Sequence, residues 1–146
     1  MIIRLPVRLL AIRENGSTAL VTPLGRLLQT SGGAAGITKF LYDGDELVAE
    51  YASNGSTVLR RYVHGAGVDD PLVWYDGAGL TDKRYLIADE RGSITAITNS
   101  SGTIININSY DEWGIPAATN LGRFAFTGQF WLPERKRVLE VADYAT

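Results

Sequence analysis

Arg84–Gly114, RYLIADERGSITAITNSSGTIININSYDEWG, reads as two short strands joined by a glycine-containing turn and closed by a Tyr-Asp pair and a glycine. Ser93–Thr98 and Thr103–Ser109 are built from Ile, Thr and other residues that suit a pleated, half-buried surface. Between them, Asn99-Ser100-Ser101-Gly102 supplies turn formers and one glycine free to adopt a positive φ. This is a β-hairpin, and a hairpin cannot bury its own apolar face. It needs neighbours of the same kind.

Outward from the hairpin, such neighbours recur. Lys83–Ala88 leads into it, and Leu72–Tyr75 forms a short strand ended by Asp76-Gly77. Upstream, Glu46–Tyr51 and Thr57–Val63 form a second hairpin across Ala52-Ser53-Asn54-Gly55. Alternation places Leu47, Ala49 and Tyr51 on one face of its first arm. In the second arm Val58, Arg60 and Tyr62 share one face, and Leu59, Arg61 and Val63 the other. Thr38–Tyr42 is a further strand. Ser17–Thr22 follows the tight-turn dipeptide Asn15-Gly16, and Arg4–Arg13 fits an edge strand limited by Pro6, or a short helix. Ser31–Gly36 reads as a flexible loop.

The turn glycines Gly55 and Gly102, and the closing tyrosines Tyr62 and Tyr110, recur at nearly equal intervals. Units of strand, turn, strand and aromatic must stack to bury their faces. The expected fold is therefore all-β: an antiparallel repeat sheet of stacked hairpins, about ten strands, curved rather than closed.

Composition bounds the function. A hydrophobic fraction of 45% argues against disorder, and a net charge of −2 carries no nucleic-acid footprint. No cysteine is present, so disulfides and thiolate metal sites are excluded. No run approaches the roughly 20 apolar residues of a membrane span, and Arg4, Arg8 and Arg13 interrupt the only candidate leader. The expectation is a cytoplasmic chain without a membrane span.

Several constellations resemble chemistry. Asp69, Asp70, Asp76 and Asp82 near His64 invite a metal or acid–base reading, but their spacing matches no ligand pattern, and turn acids explain them. His64 is the only histidine, and no Gly-x-Ser-x-Gly elbow accompanies it. Glycines 32, 33 and 36 lack the Lys-Ser/Thr of a phosphate loop. The carboxylate pairs Asp43/Asp45 and Asp111/Glu112 sit at turns, where they cap rather than catalyse. No catalytic, cofactor-binding or metal-ligating residue is expected.

Between Pro23 and Glu134 the chain resembles the distal part of a bacterial YD-repeat (RHS) protein. Pro23-Leu24-Gly25-Arg26-Leu27 is similar to the family phrase that follows Tyr-Asp, with Val21-Thr22 standing where Tyr-Asp is usual. Tyr42-Asp43 and Tyr110-Asp111 with Gly114 are close to its YD turns, and Gly55 and Gly102 hold the corresponding hairpins. Asp89 with Gly92-Ser93, and Phe126-Thr127-Gly128-Gln129, resemble the core region near the end of the repeat array. The resemblance divides the chain into a divergent extension (1–22), a repeat and core-like segment (23–134) and a divergent tail (135–146).

It implies a structural, non-enzymatic segment of a shell that encloses a toxin or cargo, as in secreted polymorphic toxins. Partners would be the remaining shell repeats, or further copies held through open strand edges; full-length relatives are secreted or lie at the cell surface. The alternative is a carbohydrate- or cell-surface-binding module using Trp74, Tyr75, Trp113 and Trp131 as stacking platforms. An autoproteolytic remnant is the third reading. The family's self-cleaving aspartates belong to an Asp-Pro-x-Gly region, whereas Asp70-Pro71 is followed by Leu72-Val73. The chain also departs from the family at Ile87 and Glu90, where histidines are common, and after Glu134. Codons for Val138–Ala142, read one base on, permit Tyr-Leu-Lys-Ser-Arg, the strand type the family has there. The strand near Phe124–Thr127 loses its expected partner unless Arg137–Ala142 supplies one, a pairing that Val138, Leu139 and Val141 permit.

Overall fold

The computed structural model describes residues 10–14, 16–32, 36–132 and 137–138. Ten antiparallel strands form one sheet whose spatial order is their sequence order. They are β1 (Leu10–Glu14), β2 (Ser17–Val21), β3 (Leu27–Ser31), β4 (Ile37–Asp43), β5 (Glu46–Tyr51), β6 (Val58–His64), β7 (Pro71–Asp76), β8 (Lys83–Ala88), β9 (Ile94–Thr98) and β10 (Ile104–Ile107). Two further strands, β11 (Trp131–Leu132) and β12 (Arg137–Val138), pair with each other. The fold is all-β and antiparallel, a meander of nearest-neighbour pairings. The sequence reading has no strand at β3, and the first part of its Arg4–Arg13 element lies outside the described residues.

One face of the sheet is buried beneath the chain's own later part. Residues 108–132 leave the sheet after β10 and run back across it, mostly without regular structure. The core lies between the two layers. Phe40, Leu47, Tyr62, Trp74, Leu86 and Ile97 come from the strands, and Phe124 and Leu132 from the returning arm. Each such apolar side chain contributes about 1.5–3 kcal/mol by leaving water. Ring contacts join the layers: Phe130 stacks on Phe40 at 6.4 Å, and Phe124 meets the edge of Tyr62 at 4.9 Å.

Two expectations are corrected here. Leu47 and Ala49 do not share a face. Leu41 pairs with Ala49 but Tyr42 pairs with Leu47, so Val48 is a bulge residue that reverses the alternation. Leu47 and Glu50 consequently point inward together. The second concerns the arm, where the pairing open to Arg137–Ala142 is not the one formed. Phe124 forms a bridge with Phe130, residues 126–128 make a 3-10 turn, and Arg137–Val138 pairs with Trp131–Leu132 instead of with Phe124–Thr127.

Candidate functional site

Several of the family-like motif residues, Asp89 with Gly92, Gly102, and Asp111 with Gly114, share one local structure. At Asp111 the backbone N–H donates to the carbonyl of Ile115, and Gly114 N–H donates to the carbonyl of Asp111. The Asp111 carboxylate accepts from the N–H groups of Trp113 and Ile115, both at 2.9 Å. The same four hydrogen bonds recur at Asp89, where Gly92 closes the turn and the carboxylate accepts from Arg91 and Ser93. They recur again at Asn99, with Gly102 closing and Ser101 and Thr103 donating to the side chain. An acceptor side chain at the first position and a glycine at the fourth define the unit. The glycines hold φ of 83°, 84° and 78° at Gly92, Gly102 and Gly114, a region costly for other residues.

Thr22 heads a fourth copy. Its N–H donates to the Arg26 carbonyl, Gly25 N–H donates back to Thr22, and the Thr22 hydroxyl accepts from Arg26 N–H at 3.1 Å. Threonine therefore supplies one of the two side-chain bonds that aspartate provides at Asp111. Tyr42-Asp43 is built differently. Asp43 pairs with Glu46 across the two-residue turn Gly44-Asp45, and Gly44 takes the positive φ. At Gly55 the acceptor has moved to Asn54, which receives the N–H groups of Ser56 and Thr57.

The core-like phrase at Phe126–Gln129 is also a turn. Thr127 holds a φ of 55°, rare for a β-branched residue, and its N–H donates to the buried Ser93 hydroxyl at 2.9 Å. Gly128 packs so closely on the Asp69 carbonyl that a side chain there would overlap it. Asp69, at φ 51°, is the other described non-glycine residue in that region. Tyr110 packs against Phe126, and its hydroxyl donates to the Ile94 carbonyl; burial raises its pKa to about 12.

Sequence reasoning missed the most heavily bonded group. Glu50 is fully buried, and its carboxylate receives four donors. Tyr62 hydroxyl approaches Oε1 at 2.6 Å and Arg60 Nη1 approaches Oε2 at 3.0 Å. Arg123, from the returning arm, grips both oxygens through Nε and Nη2 at 2.9 Å each. Burial pushes the Glu50 carboxyl up, but the two guanidiniums and the tyrosine outweigh it and hold it below the ordinary 4.5. Burial, reinforced by this carboxylate, drives the Tyr62 hydroxyl well above its usual range. Arg123 also donates to the Trp131 carbonyl at 3.1 Å and lies over the Phe40 ring. With every acceptor direction filled and no exposure, this carboxylate is a clasp between sheet and arm.

A second clasp uses asparagines. Asn108 exchanges two hydrogen bonds with the backbone of Leu121, at 2.9 and 3.0 Å, and Asn120 exchanges two with Ser109. The side-chain amides imitate a β-ladder and fasten residues 119–121 beside the end of β10.

The remaining candidates are dispersed. His64 Nε2 lies 2.7 Å from the Leu47 carbonyl, and the ring meets Phe124 edge-on. Asp76 is bound by Arg60 and Arg84, Asp82 by Arg84, and Asp45 by Arg26. Asp70 packs against Gly65. Among the described residues no group of three or more His, Cys, Asp or Glu side chains could hold a metal. The four aromatics weighed as sugar platforms are not equivalent: Trp74 is buried under the Arg84 guanidinium, Tyr75 and Trp131 are half-buried, and Trp113 is exposed at the tip of its turn. A half-open cleft of about 570 Å³ lies between sheet and arm, walled by Trp74, Pro116, Leu121 and Trp131. No helix among the described residues is long and apolar enough to cross a membrane.

No family model matches the chain. Over 84 residues it is 31% identical to the tRNA3(Ser)-specific nuclease WapA of Bacillus spizizenii. That region is 57% of this chain and 3% of the nuclease, so the chain spans a small part of the curated relative's length.

Proposed function

We propose that this chain is a non-enzymatic structural segment of an RHS-type shell, the wall that encloses a toxin or cargo. The observation that carries this reading is the repeated turn at Thr22, Asp89, Asn99 and Asp111. The motif residues that resemble the family are spent on closing hairpins and fastening the returning arm, which is scaffold chemistry. The partial similarity to a toxin nuclease supports an RHS-type context. The nuclease activity in that protein's name is not extended to this chain, whose buried carboxylate is saturated by donors and whose turn acids hold backbone N–H groups. Its partners are then neighbouring repeats that continue the sheet beyond its edge strands.

Reading the coding DNA on both sides tests the proposal. Further copies of the turn unit, with an Asp, Asn or Thr three residues before a glycine and Tyr-Asp pairs among them, are expected in the same or a shifted frame. Flanks that lack them overturn it.

A further inference from the structure

The two faces of the sheet are treated differently. Positions paired across an antiparallel sheet share a face, so the registers of β6 to β10 define a surface opposite the returning arm. Val63, Ile87, Ile104 and Ile107 lie on it and are 47%, 47%, 58% and 69% exposed. They form a band across the strands, and none of the described residues covers it. An exposed apolar band of this kind marks an interaction surface.

The charges on the same surface say what kind. Along one side of the band runs the register row Arg61, Tyr75, Lys83. Both ionisable cations there lack a carboxylate partner among the described residues: Arg61 has no ion pair, and Lys83 sits 5.0 Å over the Tyr85 ring. The inward arginines contrast with them, since Arg60, Arg84 and Arg123 all bind carboxylates. The carboxylates that share the outer face, Asp43 and Glu46, lie at the β4–β5 turn; Glu46 is on β5, the strand beside β6, but three residues along from Ala49, the partner of Arg61. A chain with net charge −2 has thus kept a cation-only border beside its exposed isoleucines.

We propose that the β6–β10 face is a docking surface for an acidic polypeptide, one whose apolar side chains are flanked by carboxylates. Such a partner covers the isoleucine band and supplies the counter-ions that Arg61 and Lys83 lack. A second copy docked face to face would bring these cations against their equivalents. A polyanion without apolar groups would leave the band in water.

Fluorescence anisotropy with a labelled random copolymer of glutamate and tyrosine tests the surface, beside heparin, an oligothymidylate and phosphatidylglycerol vesicles. The protein should bind the copolymer in preference to the other three, more weakly at high salt. Arg61→Glu combined with Lys83→Glu should weaken binding by roughly tenfold or more, and Ile87→Asn should weaken it without altering net charge. Arg61→Gln gives a milder variant, and near-UV circular dichroism reports retention of the fold. Arg26→Glu, at a turn outside this surface, should bind like the parent. Equal or tighter binding of heparin, oligonucleotide or vesicles, unchanged binding by the charge-reversed protein, or no binding of the copolymer would each overturn the proposal. None of these outcomes bears on the flanking-DNA test of the shell reading.

Discussion

A single side-chain oxygen at the head of each turn fixes two backbone N–H groups, and Thr22 shows what happens when the side chain is shorter. Thr22→Asp should add the turn's second side-chain hydrogen bond and stabilise the protein by about 0.5–1 kcal/mol in urea unfolding, while Asp111→Ala should cost about 1 kcal/mol. The closing glycines allow a sharper comparison. Gly102 and Gly114 have nearly the same φ, but a methyl group at Gly102 meets open space whereas one at Gly114 would strike the Phe126 ring. Gly102→Ala should therefore cost only the backbone strain, about 1 kcal/mol, and Gly102→Val about 1–3 kcal/mol. Gly114→Ala should cost more than Gly102→Ala in the same measurement, because the ring must move as well. The Asp/Asn-x-x-Gly spacing was open to a reading of the sequence, since turn chemistry is local. Thr22 as its equivalent was not, because a hydroxyl announces no partner.

Among the elements, what was legible follows from how local the signal is. Glu46–Tyr51 was placed correctly, and Ser93–Thr98 nearly so, from residue type and punctuation. Leu27–Ser31 was passed over because LLQTS neither alternates nor stops before its glycine-rich loop. Strict alternation from Leu47 would turn Glu50 to the opposite face; the bulge at Val48 brings it inward, and a bulge leaves no mark on composition. The returning arm has no periodicity, and the amides of Asn106, Asn108 and Asn120 that stand in for a ladder announce no partner in the sequence. Across these elements the Glu50–Arg123 clasp is the strongest polar tie. Glu50→Gln removes the charge that both guanidiniums hold, and should lower stability by about 3–5 kcal/mol, read from urea or thermal unfolding. The pH dependence follows from the sign of the shift. With its folded pKa below 4.5, Glu50 contributes fully above about pH 4.5, and the contribution fades as pH falls through the folded value. A stability titration of the parent should show this acid limb, and Glu50→Gln should have lost it.

Across the whole molecule, an open meander leaves two edge strands, and β10 carries three isoleucines that are all exposed. The asparagine clasp shields only the end of this strand, so its start remains a template for another chain. Sedimentation velocity at micromolar concentration should show self-association, and charged substitutions at Ile104 and Ile105 should reduce it. A concentration-independent monomer would remove the edge argument. The order of the strands has a further consequence for how the protein comes into being. Because each strand pairs with the one before it, the sheet can be laid down as the chain leaves the ribosome, with short loops to close at every step. Glu50 is the exception, since its arginine from the arm is made 73 residues later. Through that interval the carboxylate has only Arg60 and Tyr62 to bind it, and the sheet face that the arm later covers is expected to stay open. Synthesis of Arg123 ends that period, so a stalled chain released before it should remain susceptible to protease along β4 and β5, and one released beyond Leu132 should not.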